Sequence, residues 1–165
     1  MARMTVRGVQ EYALKLSKLG RAGEAVAGKA IYEAAGIVAD RIKANIEALP
    51  AVPDVENLKA YQSGEKSQLS ITQKKGLIES FGITKMELDG KGYYNVKLGF
   101  DGYNDIKTKK YPNGQPNQLI ARVVESGSTY MDKKPFVRPA VTATKKDAIA
   151  AMQRIIDDEV RRIMG

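Results

Sequence analysis

The sequence predicts an α+β fold in which a long alanine-rich helix and a C-terminal helix pack on one face of a small antiparallel sheet of three to four strands. Three observations predict it. Apolar side chains recur every three or four residues over 22–49, and again beyond Pro139, the period of helices buried along one side. Between them Tyr94, Val96, Leu98 and Phe100 alternate with Asn95, Lys97 and Gly99, the period of a half-buried strand. The order helix, strands, helix favours helices laid on an antiparallel sheet over a repeating parallel one.

Each element follows in turn. Val9, Tyr12, Ala13, Leu16 and Leu19 predict a short opening helix over 6–19, stopped at Gly20. A longer helix then runs from Ala22 to Leu49, with Val26, Ala30, Ile31, Ala34, Ile37, Val38, Ile42, Ile46 and Leu49 on its inner stripe. Its many alanines allow close approach of a neighbouring element, and Pro50 and Pro53 end it. Residues 50–70 are polar and without period, a long surface loop of the kind usually kept for function. Leu77 to Met86 passes from a helical turn into a strand. Asp89-Gly90-Lys91-Gly92 is a tight-turn signal, and the alternating strand follows it. Residues 102–117 form a second long loop, and Gln118 to Glu125 a third strand. Pro139 stands where the first turn of a helix tolerates it. The stripe Ala148, Met152, Ile155, Ile156, Val160, Ile163 and Met164 carries that last helix to the end of the chain.

A length of 165 residues fits one domain, 1–165, since domains cluster at roughly 100–150 residues. The chain has no Cys and no His, so the usual zinc, copper and iron–sulfur ligand sets cannot be built. Ser–His–Asp and Cys–His nucleophilic sites are excluded on the same ground. Carboxylate, Lys, Ser/Thr and Tyr chemistry remains, with Mg²⁺ as the metal that would suit it. The N-terminal residues lack the apolar stretch of a secretory signal, and no run approaches the roughly 18 apolar residues of a membrane span. A soluble protein made in a reducing cytoplasm is expected. The net charge of +8 points to an acidic partner, either nucleic acid or an acidic protein surface.

Three segments of the chain offer candidate sites, each beside a plainer structural role. Gly23 to Ala30 nearly spells a phosphate-binding loop, but Ala30 replaces the Ser/Thr that would hold Mg²⁺ and no strand precedes it. Asp157-Asp158-Glu159 is the densest acidic run, yet adjacent helical residues diverge. Arg154, Arg161 and Arg162 among them read as ion-pair partners. No catalytic, cofactor-binding or metal-binding residues are therefore assigned. Lys107, Lys109, Lys110 and Tyr111, with Tyr103 and Tyr130 as neighbours, form the best basic–aromatic patch, suited to a protein interface or to DNA.

The segment Ala121 to Ala140 resembles the tail-component, or neck, proteins of long-tailed bacteriophages. Glu125, Gly127, Ser128, Pro135, Phe136, Arg138, Pro139 and Ala140 stand at positions matching that family's motif. There a strand ends in an acidic residue and Gly-Ser/Thr, and Pro-Phe-Leu/Val-Arg-Pro-Ala opens the final helix. Val6 to Tyr12 with Leu16 to Gly20 looks like the family's opening, a short strand or turn followed by a helix. Lys75 to Phe81 is similar to its Thr-Gly-x-Leu-x-x-Ser-Ile element, with Lys75 in place of Thr. The two long loops depart from the pattern.

The resemblance implies a structural, non-enzymatic virion protein that acts in tail completion or head–tail joining. Its implied partners are other neck and tail proteins and further copies of itself in a ring, made in the bacterial host cytoplasm and ending in the virion. The loops near 50–70 and 102–117 are the expected contact sites, and a basic lumen would lie beside packaged DNA. A tail-terminator ring protein and a small basic DNA-binding protein are the alternatives. Within the motif, Pro135 and Pro139 should stiffen the approach to the helix. Phe136 should anchor in the core, and Arg138 should reach Glu125 across the turn.

Overall fold

The structure, a computed structural model, describes residues 9–165, with side chains from Leu14 onward. The expectations for residues 6–8, and for the side chains of Val9, Tyr12 and Ala13, lie outside the described residues. The fold is α+β, with the long N-terminal helix packed against the C-terminal one and small antiparallel strand pairs beside them.

Helix α1 is one unbroken helix, Val9–Ala48, of 40 residues, and not two helices parted at Gly20. Gly20 does not take the left-handed backbone that a glycine stop requires, because Arg21 and Ala22 continue the helix and the apolar stripe keeps its phase to Val26. Its inner face is Val26, Ala30, Ala34, Ala35, Ala39, Ile42 and Ile46, with Leu49 just past its end, all buried. Helix α5, Val137–Met164, presents Ala140, Thr144, Ala148 and Ala151 in return. The seam is therefore lined by small side chains on both sides, which brings the two backbones close. Asn45 donates to the Phe136 carbonyl (3.0 Å) at one end, and Lys29 meets Glu159 (2.6 Å) near the other. The helices thus run antiparallel.

Residues 50–70 are not an uninterrupted loop. They contain α2, Asp54–Gln62, which buries none of its residues. Pro53 precedes it and Asp54 and Glu56 sit in its first turn, where acidic charge complements the helix dipole. A helix with no buried face has no apolar stripe to reveal it. Helix α3, Ile71–Ser80, opens on a capping box in which the Ser70 hydroxyl accepts from the Gln73 amide and the Gln73 side chain accepts from the Ser70 amide.

The strands form one hairpin in two ladders rather than a continuous sheet. β1, Phe81–Ile83, pairs with β4, Leu98–Phe100, and β2, Glu87–Leu88, pairs with β3, Tyr94–Asn95. The turn at 89–92 is present, with Asp89 Oδ1 accepting from the amides of Lys91 and Tyr93. Tyr32 of α1 holds the hairpin by accepting from the Met86 amide at 2.7 Å. The third strand expected over 118–125 is instead helix α4, Asn117–Ser126. Its buried residues Asn117, Ile120, Ala121 and Val124 follow the helical period, and that burial outweighs the strand preference of Ile120, Val123 and Val124.

The core gathers where α1, α3, α4, α5 and the β1–β4 ladder meet. Ile42, Ile46, Leu49, Leu69, Leu77, Phe81, Ile120, Val124, Met131 and Phe136 form one buried cluster. The chain's three phenylalanines all belong here, with Phe100 tilted on Phe81 (5.1 Å between ring centres) and edge-on to Phe136 (6.0 Å).

Candidate functional site

The residues singled out between 121 and 140 come together as one interlocked turn between α4 and α5. Glu125 lies in the last turn of α4, and its carboxylate accepts from the backbone amides of Phe136 (2.7 Å), Val137 (2.8 Å) and Arg138 (2.9 Å). A helix leaves its first four N–H groups without internal partners. In α5 three of those groups go to Glu125, and the fourth residue is Pro139, which has no N–H. The acid, the two spaced prolines and the residues between them thus satisfy one helix end completely.

Electrostatics agree. Burial alone would raise the Glu125 pKa, but the three amide hydrogen bonds and the charge of Arg138 together hold it below the ordinary glutamate range. The expected side-chain link from Arg138 to Glu125 is not made. Arg138 meets the carboxylate through its backbone amide, and its guanidinium acts only by charge. The carboxylate's oxygens are already taken by three closer donors.

Gly127 ends α4 with φ of +77°. A Cβ there would also meet the Lys133 amide nitrogen at 3.1 Å, so both conformation and space select glycine. The chain then doubles back, with Lys134 donating to the Val124 carbonyl (2.7 Å) and Ser128 to that of Met131 (2.8 Å). Phe136 is 1% exposed and anchors the turn in the core, as expected.

The basic patch sits on the irregular segment between β4 and α4. Lys107, Lys109 and Lys110 are exposed and Tyr111 is half-buried. The Thr108 hydroxyl accepts from the Tyr111 amide (3.0 Å), closing a small turn, and Lys110 lies 5.5 Å over the Tyr111 ring. Tyr103 belongs to the same segment, through its backbone pairing with Pro116. Tyr130 does not join them. It packs on Tyr61 of α2 at 5.7 Å, beside the ion pair of Lys66 and Asp132.

The remaining candidates resolve into structure. Gly23 to Ala30 is helical throughout within α1. Glu159 pairs with Lys29 and with Arg162 (2.6 Å each), and Asp158 with Arg161 (3.9 Å). Lys29 first, then Arg162, lower the Glu159 pKa.

Two features escaped the sequence reading. Helix α2 displays Val55, Leu58 and Tyr61, each more than half exposed, at steps of three residues that put them on one face. Tyr130 extends this apolar surface. A polar cleft beside α3 and α4 is lined by Asp101, Asn104, Asp105 and Asn117. Its signal was the concentration of Asn, Asp and Gly over 101–117, which marks tightly hydrogen-bonded loops. Comparison with family models, with characterised proteins and with solved structures finds no match to this chain.

Proposed function

We propose that this chain is a structural virion protein of a long-tailed bacteriophage, acting without catalysis in tail completion or head–tail joining. The observation that carries the reading is the turn from Glu125 to Pro139. The residues that bear the resemblance are those that cap α5, reverse the chain and anchor it in the core. The likeness therefore lies in a coherent structural device rather than in scattered identities.

The surface supports an assembly role. Val55, Leu58, Tyr61 and Tyr130 offer solvent-exposed apolar and aromatic side chains, the residue types on which protein interfaces are centred. On this reading α2 and the 101–116 segment contact other neck and tail proteins and neighbouring copies in a ring, and the protein resides in the virion. The exposed Lys107, Lys109 and Lys110 give a second reading some footing, that of contact with packaged or free DNA. A tail-terminator ring would use the same chemistry on a different partner.

Deleting the gene from its parent phage or prophage and imaging the lysate separates these readings. DNA-filled heads beside detached tails of normal length are the expected result. Overlong tails would assign the protein to tail termination. Intact infectious particles would overturn the structural role and leave DNA binding to be pursued.

A further inference from the structure

Helix α2 stands apart from the other helices. It buries none of its 9 residues, whereas α1, α3, α4 and α5 all lend side chains to the core. A helix this short is marginal in water, because nucleation costs more than its few internal bonds return. Contacts from outside must hold it, and they are few.

The segment 53–66 leaves the body and returns to it at one place. Val52 donates to the Leu69 carbonyl and accepts from the Ile71 amide, both at 2.9 Å. The two roots of the excursion are thus stapled side by side, whatever the helix between them does. Each root carries a pivot. Pro53 enters α2 from extended backbone with ψ of 144°, and Gly64 follows it with φ of +76°, a left-handed turn that glycine takes without strain. Hinges are built from a few such residues at the ends of elements.

Between these pivots, four contacts hold the excursion among the described residues. The Asp54 carboxylate accepts from the amide (3.1 Å) and the hydroxyl of Thr72, in the first turn of α3. Asn57 Oδ1 accepts from the Gln68 amide (3.2 Å). The Tyr61 ring tilts onto Tyr130, and Lys66 pairs with Asp132. The first contact alone brings two bonds and a charge to one point. The Thr72 hydroxyl, opposed by burial and helped by the Thr72 amide, holds the Asp54 carboxyl below the ordinary aspartate range. The others are weaker ties. Gln68 belongs to the returning root itself, Lys66 and Asp132 form an exposed ion pair of small worth, and both tyrosine rings are more than half exposed.

We propose that residues 53–66 are a hinged arm with two states, docked through an Asp54–Thr72 latch or released from it, and that the arm releases while the core stays folded. Release breaks no buried apolar contact of α2, and local opening costs least where that is so. The exposed row of Val55, Leu58 and Tyr61 travels with the arm. The inference stands independently of the virion reading.

The test is NMR on the full chain, with Cα chemical shifts reporting helicity and amide exchange reporting opening. In the wild type, residues 55–62 should show helical shifts, and the amides of 58–65 should exchange far faster than those of 42–49 and 120–124. Asp54→Asn keeps the shape of the latch but gives up its charge. Thr72→Val gives up the hydroxyl and lies in α3, so it cannot act through the charge at the start of α2. Both should speed exchange over 58–65 by roughly fivefold or more and leave 42–49 and 120–124 unchanged. Glu56→Gln, which removes a first-turn charge of α2 outside the latch, should leave the arm docked. Coil shifts at 55–62 in the wild type, or arm amides that exchange as slowly as the core, would overturn the proposal. So would unchanged arm exchange in either latch variant, or an effect that spreads into the core.

Discussion

Glu125 is worth most to the fold when it is charged. Its carboxylate is the sole partner of three α5 amides, and charge-assisted bonds of this kind are about twice as strong as neutral ones. Replacing it by Gln keeps the shape but leaves one oxygen to do the work of two. Glu125→Gln should cost about 2 kcal/mol, read as a lowered urea midpoint with unchanged slope. The pH dependence has a definite sign. A carboxyl whose folded pKa lies below its usual 4.5 contributes stability that is fully present above that value. The contribution is lost as pH falls through the lower, folded pKa. The wild-type and Glu125→Gln stability curves should therefore differ at pH 7 and converge below about pH 4.5. A constant gap at all pH values would mean that the charge on Glu125 plays no part in holding α5.

Helix α1 makes its own prediction, because Gly20 lies inside it. A Cβ there meets nothing within 4 Å, and glycine costs a helix interior roughly 0.5–1 kcal/mol relative to alanine. Gly20→Ala should therefore raise stability by about that amount. Were Gly20 a left-handed stop between two helices, the same change would lower the melting temperature instead. The other end of α1 is closed by Lys74 of α3, whose Nζ donates to the carbonyls of Glu47 (2.7 Å) and Leu49 (2.8 Å). Lys74→Met keeps the stem but removes the donors, and should cost about 1 kcal/mol in a denaturant titration. No change there would sink the idea that Lys74 closes the helix. These elements also mark what the sequence could reveal. α1 and α5 were legible because each buries a long face, so their apolar period is sustained over many turns. α2 was not, since it buries nothing, and α4 was misread because β-branched residues fill a helical face. The turn from Glu125 to Pro139 was legible as a motif. Its chemistry was not, because the partners of Glu125 are backbone amides that no side-chain pattern reports.

Taken as a body, the molecule is firm at one end and slender at the other. Near Phe136 and Ile46, four helices and the hairpin share one core with all three phenylalanine rings. Further along, α1 and α5 meet along a narrower seam of Val26, Ala30, Ala148 and Ala151 with Met152, Ile155 and Val160 half-buried beside it, closed by the exposed Lys29 and the Glu159 it meets. Toward the start of α1 burial thins out, and Leu14 and Leu16 are 56% and 47% exposed. Local opening costs least where few apolar contacts are broken. Native-state hydrogen exchange should therefore be slowest at the amides of residues 42–49, 120–124 and 140–144, where opening approaches global unfolding. Protection should fall stepwise along α1 toward its start, with amides before residue 24 exchanging fastest. Uniform protection along α1 in the isolated protein would mean that a partner, such as a second copy, already covers that end. A protein built to join others has reason for such a gradient: the firm end fixes the geometry, and the slender end can order when a neighbour docks on it.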